Sequence, residues 1–205
     1  MCYSKWSGPK AVQLAKAEVY TLSTDSWRRV VIPVGSLSGY IHNPQHKPCI
    51  FFNGALHSIA YINNHNFILC FDVNDERFRE IMLPDNYLDG YSPDLCYFKQ
   101  LVVIKGLLGL VVFHHLSDVC LIWVMREYGV VESWTQRIES VDLGGRFYGC
   151  TDSGELLIGR IDSGLVSLDP DSLNEKNLGI GIQRPRSLRY TTDFMENLVL
   201  VDGVN

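Results

Sequence analysis

The sequence predicts an all-β protein built as a partial β-propeller, because units of about 50 residues, each reading as four short strands, follow one another along the chain. Within its 205 residues, the segment from Tyr20 to Pro33 matches the segment from Phe71 to Pro84. Two aromatic positions, an acidic position, an arginine and a proline all recur at a spacing of 51 residues. The alternative is a β-sandwich with coincidental similarity, but five residue types that share one offset favour a repeat.

A second recurring motif predicts a tight turn between the first two strands of each unit. It is a glycine between apolar runs, at Gly54, Gly106 and Gly154. Asn197 falls at the next glycine place, and asparagine is the residue after glycine that best tolerates a positive φ. Between the third and fourth strands, the run Asp72–Asp75 predicts a hairpin turn, because its side chains can hydrogen-bond their own backbone.

These motifs predict about four four-stranded, kelch-like blades in one domain over residues 1–205, in a ring that is closed or left open. The predicted blades cover approximately residues 1–33, 47–85, 98–141 and 146–182, with the start of another at 187–203.

Three aromatic residues recur at equivalent places near the start of the fourth strand of each unit, namely Trp27, Phe78 and Trp134. Recurrence favours packing between blades over contact with a ligand, since an architectural role repeats along an array. Arg28 and Arg79 recur beside them and are expected to lay their aliphatic stems over that packing.

Composition and charge exclude several classes of partner. The chain has 18 basic and 23 acidic residues, and this net charge of −5 argues against a nucleic-acid surface. The longest strongly apolar stretch, Leu107–Phe113, is far too short to span a bilayer, and the first residues lack the apolar core of a signal peptide. We therefore expect no membrane association, a cytoplasmic or nuclear location, and buried free thiols at the six cysteines.

No motif predicts catalytic residues, a metal site or a cofactor. His42 and His46 have the spacing of metal ligands on a helix, but Pro44 between them disfavours a helix. His57 is expected to be a core residue with one ring nitrogen hydrogen-bonded. The protein is therefore predicted not to be an enzyme, although a hydrolytic propeller stays open as an alternative.

The longest irregular stretches, Val34–Lys47 and Asp85–Asp94, are the predicted partner-binding loops, since binding residues of such scaffolds lie on loops. They carry tyrosines, which are enriched at protein-binding hot spots. The alternative is that these side chains pack only against their own loops. The candidate binding residues are Tyr40, His42, Tyr87 and Tyr91.

Several short motifs, in the right order over nearly the whole chain, carry a resemblance to a known family. They are Glu18-Val19-Tyr20, Ser26-Trp27-Arg28, Phe52–His57, Phe71-Asp72 and Phe78–Pro84. In this respect the chain resembles the plant F-box-associated domain, which follows the F-box in many plant F-box/kelch-repeat proteins, including relatives of the S-locus F-box group.

The resemblance implies a substrate-recognition domain of an F-box subunit of a cullin-based (SCF) ubiquitin ligase, with a protein target as its partner. In that family the F-box binds the ligase adaptor, and no F-box precedes these repeats, so an adaptor partner is expected only if an F-box is present elsewhere. One alternative is a truncated decoy or non-functional product without ligase activity. Another is an S-locus-like receptor for a ribonuclease. An incomplete ring would expose blade faces, so we expect marginal stability or self-association.

Overall fold

The structure is a computed structural model, and it describes residues 17–32, 49–62, 65–85, 87, 97–114, 119–142, 145–160 and 162–181. The expected start of a further blade at 187–203 lies outside these residues.

The described strands pair antiparallel into one two-stranded sheet and three four-stranded sheets, which we number blade 1 to blade 4. Blade 1 consists of β1 (Ala17–Thr21) and β2 (Ser26–Val30). Blade 2 consists of β3 (Ile50–Phe52), β4 (Ala55–Ile62), β5 (His65–Asp72) and β6 (Arg77–Met82). Blade 3 consists of β7 (Tyr97–Ile104), β8 (Leu107–His114), β9 (Val119–Met125) and β10 (Trp134–Asp142). Blade 4 consists of β11 (Arg146–Cys150), β12 (Leu156–Arg160), β13 (Gly164–Leu168) and β14 (Glu175–Ile180).

This architecture confirms the prediction of an all-β partial propeller. Each four-stranded blade is a meander in which consecutive strands are neighbours, and no strand of blade 1 pairs with blade 4 among the described residues. Blade 1 has two strands in the described part of the chain, where the sequence predicted four per blade. The described part of the chain also has two short 3-10 helices, Leu22–Thr24 and Val131–Ser133, and no described helix is long and apolar enough to cross a membrane.

Glycine turns join the first two strands of blades 2 and 3, as the motif predicted. Asn53 and Gly54 have φ of 47° and 75°, and Lys105 and Gly106 have φ of 49° and 75°. Two central residues with positive φ define a type I′ turn, whose twist matches that of a β-hairpin. Gly154, with φ of 85°, provides the left-handed residue of the corresponding turn in blade 4.

The turn between the third and fourth strands of blade 2 is held by its own first side chain. The Asp72 Oδ1 accepts hydrogen bonds from the backbone N–H groups of Asn74 and Asp75, both at 3.0 Å. The predicted hairpin turn at Asp72–Asp75 is therefore present.

The hydrophobic core lies between neighbouring blades, because both faces of the inner strands are apolar. One cluster fills the space between blades 2 and 3, and another that between blades 3 and 4. Buried members of the first include Ile68, Cys70, Leu108, Leu110 and Met125, and those of the second include Ile104, Ile122, Phe147, Ile158 and Val166.

The recurring aromatic residues occupy the same place within each sheet. Trp27 lies opposite Tyr20 with ring centroids 5.1 Å apart, and Phe78 lies opposite Phe71 with centroids 4.8 Å apart. Trp134 lies opposite Met125 in the same way. The repeat in the sequence is therefore also a repeat in strand register.

These aromatic residues do not all pack between blades. Trp134 is 8% exposed and its indole N–H donates to the Met82 carbonyl of blade 2, 3.0 Å away, so it joins two blades. Trp27 is 66% exposed and packs on Tyr20 of its own hairpin. Packing between blades is thus wrong for Trp27, because the described residues place no sheet over this face of blade 1.

The turn between the third and fourth strands of each later blade reaches back to the blade before it. In blade 2 this turn carries Glu76, whose carboxylate forms an ion pair with Arg28 of blade 1. Arg28 therefore links two blades by charge, whereas Arg79 pairs with Asp72 of its own blade at 2.5 Å.

In blade 3 the same turn inserts Tyr128 into blade 2. Its hydroxyl lies 2.7 Å from the Nε2 of His57 and 3.5 Å from the Sγ of Cys70. The ring also packs edge-on against Phe52, with centroids 5.7 Å apart. This part-buried hydrogen bond to the fully buried His57 is the counterpart of the ion pair at the previous junction.

In blade 4 the turn carries Asp171, which binds two cations of blade 3. The Arg137 guanidinium donates through Nε to Oδ1 at 2.8 Å, and Lys105 pairs with Oδ2. These two cations lower the pKa of Asp171 to about 2, so the carboxylate stays charged over the physiological range.

Replacing Gly154 should destabilise the protein more than replacing Gly54. A Cβ at Gly154 would lie 3.1 Å from the Lys105 backbone nitrogen and 2.9 Å from its Cγ, whereas a Cβ at Gly54 meets nothing within 4 Å. Both glycines have positive φ, so Gly54→Ala should cost about 1–2 kcal/mol. Gly154→Ala should cost about 1–3 kcal/mol more because of overpacking. Urea unfolding measures both, and equal losses would show that the two turns are equivalent.

Removing the Tyr128 hydroxyl should weaken the junction between blades 2 and 3. Tyr128→Phe leaves the buried Nε2 of His57 without its partner, a loss of about 1–3 kcal/mol in the free energy of unfolding. The matched control is Tyr20→Phe, which removes a hydroxyl that donates to Asp25 on the exposed surface, 2.6 Å away. That variant should lose less than about 1 kcal/mol. Losses of the same size in thermal or urea unfolding would contradict this role for Tyr128.

Candidate partner-binding surface

Each four-stranded blade has two ends with different connections, because its strands alternate in direction. We call one end the latch rim; it consists of the described turns at 53–54, 73–76, 105–106, 126–133, 151–155 and 169–174. The opposite end, the connection rim, carries the turn between the second and third strands and the links from one blade to the next. It is defined by the ends of β2, β6 and β10 and the starts of β3, β7 and β11.

Both predicted binding loops join strand ends at the connection rim. Residues 34–47 lie between β2 and β3, and residues 85–94 lie between β6 and β7. Tyr40, His42 and Tyr91 lie outside the described residues and stay predictions. The described strand ends that flank the two stretches lie at the same end of the array.

Tyr87 is the predicted binding residue that the structure describes, and both neighbouring blades hold it. Its hydroxyl accepts a hydrogen bond from the Nδ2 of Asn66 in blade 2, at 3.2 Å. The Nζ of Lys99 in blade 3 lies 5.6 Å from its ring centroid, within the range of a cation–π contact. Burial raises the pKa of Tyr87 and lowers that of Lys99. Tyr87 thus fixes the beginning of its loop, and its contact with a partner stays a prediction.

The sequence analysis missed the residues that hold the latch rim together. Tyr128 and Asp171 were not singled out, although both lie in turns that the repeat located. The available signal was the greater length of the turn in the third unit, which supplies the chain that carries Tyr128 into blade 2. Their partners, including His57 and Arg137, lie in the preceding blade, so no local pattern reveals the pairing.

The contact between His57, Cys70 and Tyr128 has the geometry of a structural contact. His57 and Cys70 are 0% and 1% exposed, so no solute substrate can reach them. The Nε2 of His57 bonds the Tyr128 hydroxyl, and its Nδ1 has no hydrogen-bond partner among the described residues. This agrees with the expectation of a core histidine with one ring nitrogen satisfied.

The cysteines and acidic residues of the described chain form no metal site. No group of three His, Cys, Asp or Glu residues in this part of the structure could hold a metal ion. Cys70 and Cys120 are buried free thiols as predicted, and burial raises the pKa of Cys120 to about 12, which makes it unreactive. The expectation is wrong for Cys49, which is exposed because it precedes β3 at the connection rim.

Comparison with known proteins identifies the class. The family model described as the F-box associated beta propeller domain matches residues 3–187. The chain belongs to this family, and the F-box-associated resemblance is thereby confirmed.

Individual relatives are plant F-box proteins. The chain is 26% identical over 155 residues to F-box protein At1g31080 of Arabidopsis thaliana, covering 68% of this chain and 40% of that protein. It is 38% identical over 85 residues to F-box protein At3g07870 of the same plant, covering 40% of this chain and 19% of that protein. The chain therefore spans less than half the length of these relatives. No solved structure matches it.

The stability of the protein should fall as the pH drops below about 7, through His57. Burial, with a smaller contribution from the Arg79 charge, lowers the pKa of His57 below its usual 6.5. The unfolded chain therefore binds a proton more readily in the window below 6.5, so protonation favours unfolding there. Asp72 and Asp171 have lowered pKa values and titrate in a more acidic range.

The test is urea unfolding between pH 8 and pH 5 of the protein and of the His57→Gln variant. Glutamine can still hydrogen-bond the Tyr128 hydroxyl but does not titrate. The protein should lose more stability over this range than the variant does. Parallel curves for the two proteins would show that His57 does not control this dependence.

Proposed function

We propose that this F-box-associated domain recognises a protein destined for ubiquitination and binds it through the connection rim. Two findings support this proposal: the chain belongs to the F-box-associated propeller domains, and the relatives described above are F-box proteins. F-box subunits generally act as substrate receptors of SCF ubiquitin ligases. In this proposal the domain itself catalyses no reaction, and it works in the cytoplasm or nucleus.

The observation that carries the assignment to one surface is the division between the two rims. Turns of the latch rim are engaged in contacts between blades through Glu76, Tyr128 and Asp171. Substitutions in these turns would weaken the junction between two blades. The long connections join strand ends of the opposite rim, so their sequence can vary to fit a partner while the strand ends stay fixed.

The contacts of half-buried Tyr87 with Asn66 and Lys99 support this arrangement. A loop that begins at a residue held by two blades loses less conformational entropy on binding than one with a mobile base. Tyr91, four residues further along, is then presented from a fixed starting point. We therefore assign a supporting role to Tyr87 and the contacts with the target to Tyr40, His42 and Tyr91.

The proposal predicts that a connection-rim variant loses target binding while a latch-rim variant keeps it. The first variant replaces Tyr40, His42 and Tyr91 by Ser. The control replaces Val73 and Leu173 by Ser, since these side chains are 45% and 56% exposed in latch-rim turns. Proteins from plant extract are captured on each immobilised protein, identified by mass spectrometry, purified and titrated by calorimetry. At least one protein should bind the original chain and the control but not the first variant, with circular dichroism unchanged in all three.

A second stage tests the ligase step with the protein so identified. The chain is fused to an F-box and added to the reconstituted ligase, where it should direct ubiquitin onto the captured protein, and the connection-rim variant should not. Equal capture by both variants would overturn the assigned surface. Capture without ubiquitination would leave the chain as a binding protein that acts outside a ligase, as a decoy would.

A further inference from the structure

The turn between β13 and β14 of blade 4 carries a serine in an acidic stretch of sequence. Ser172 follows Asp171, and Glu175 lies three positions after it. Of all the serines and threonines in the 205 residues, Ser172 is the only one with an acidic residue at this spacing. One class of protein kinase selects a serine by a carboxylate three positions later, because basic residues of the kinase pair with that carboxylate. The sequence around Ser172 therefore fits an acid-directed serine/threonine kinase.

This serine is accessible in the folded protein, and few contacts hold the segment around it. Ser172 is exposed, and so are all six residues of β14, the outer strand that follows. Leu173 has a φ of 58°, in the left-handed region that a leucine rarely adopts. A kinase has to extend the chain around its target serine, and extension relieves the backbone of Leu173. Segments with little buried surface are those that open locally in this way.

In the folded turn, the hydroxyl of Ser172 lies beside a carboxylate. It donates a hydrogen bond to the Oδ2 of Asp169 at 3.0 Å and accepts one from the backbone N–H of Asn174 at 3.3 Å. The backbone N–H of Asp171 donates to the Oδ1 of Asp169 at 2.9 Å. The bond from Asp171, and after it the bond from Ser172, lower the pKa of Asp169. The group next to the hydroxyl is therefore a charged carboxylate.

The charges at the junction of this turn with blade 3 are already balanced. Asp171 forms ion pairs with Lys105 and Arg137, so these two cations face the two anions of Asp171 and Asp169. A phosphate on Ser172 adds about two negative charges at neutral pH. The added charge would exceed that of the two cations and would lie next to two carboxylates. Repulsion between like charges would therefore loosen the turn that joins blade 4 to blade 3.

We propose that Ser172 is a phosphorylation site of an acid-directed serine/threonine kinase and that phosphate there weakens the junction between blades 3 and 4. The Oγ of Ser172 attacks the γ-phosphorus of ATP and forms a new O–P bond. The bond from that phosphorus to the bridging oxygen breaks, the hydroxyl proton passes to a base of the kinase, and ADP leaves. The phosphate ester cannot donate to Asp169, so the turn loses a hydrogen bond as it gains charge. This modification does not depend on the proposed function, because it concerns the contact between two blades.

The first experiment is phosphorylation of the full chain by casein kinase II with ATP and Mg²⁺, followed by peptide mass spectrometry. Ser172 should be phosphorylated in most of the protein. Glu175→Gln removes the carboxylate but keeps the shape of the side chain, and it should lower the rate about tenfold, as expected for the loss of one charge-assisted contact. The matched control is Ser153→Ala, which removes an exposed serine from the other described turn of blade 4 at this rim and should leave the rate unchanged.

Two results of this experiment would overturn the assigned site. One is absence of phosphate from Ser172 in a chain whose circular dichroism shows it to be folded. The other is an equal rate of phosphorylation for the original chain and the Glu175→Gln variant, because the kinase would then not read the carboxylate.

The second experiment compares thermal unfolding of the original chain, the Ser172→Ala variant and the purified phosphorylated chain. The variant removes the hydrogen bond to Asp169 without adding charge. The Tm of the phosphorylated chain should lie about 2–4 °C below that of the variant. This extra loss should shrink in about 1 M NaCl, because salt screens interactions between exposed charges.

A Tm of the phosphorylated chain equal to or above that of the variant would show that Lys105 and Arg137 accommodate the phosphate, and would overturn the weakening of the junction. An extra loss of the same size at low and high salt would overturn charge repulsion as its cause. Target capture by the connection rim is measured separately, so the proposed function and this modification can each fail alone.

Discussion

The structure depends on the way each blade is fixed to the one before it. A single meander of four strands cannot bury both of its faces, so each blade needs a neighbour on either side. The hydrophobic effect brings the faces together but does not set their orientation, because it is not directional. Directional contacts from one turn per blade supply the orientation, through Glu76, Tyr128 and Asp171 in succession. The equivalent turn of each blade thus joins it to the preceding blade, in one case by a partly exposed ion pair, in the next by a tyrosine hydrogen bond, and in the third by a carboxylate that binds two cations.

These three contacts do not stabilise their junctions equally. The carboxylate of Glu76 and the guanidinium of Arg28 are partly exposed, and exposed ion pairs contribute little and are screened by salt. The Tyr128 hydroxyl bonds the fully buried His57, and its ring packs against a core cluster, so loss of the hydroxyl leaves a buried group unsatisfied. In an array whose stability is a sum of unit and interface contributions, opening begins at the weakest interface, and among the described residues that is the interface of blade 1. The unequal junctions therefore give the chain a direction of unfolding.

The sequence specified the fold well because the signals for it are local. The recurrence of Tyr20 as Phe71 reflects strand register, and the glycines at turns reflect backbone sterics. Strand register and backbone sterics are each determined by residues within one unit. The side chains that join units were harder to predict, since Tyr128 and His57 are 71 residues apart and share no pattern. Trp27 also shows that local motifs do not predict contacts between units. Its place in the sheet followed from the repeat, but its exposure depends on a neighbouring blade that no local motif describes.

The weak junction and the proposed binding surface are connected through the chain. The loop 34–47, which carries Tyr40 and His42, joins blade 1 to blade 2, so its two ends keep a fixed separation only while blade 1 is docked. A binding loop is useful in proportion to the rigidity of its anchors, because ordering on binding reduces affinity. The Arg28 ion pair is partly exposed and contributes little, whereas Tyr87 at the start of the second proposed binding loop contacts both neighbouring blades. Among the described contacts, the second proposed loop therefore has the more rigid base.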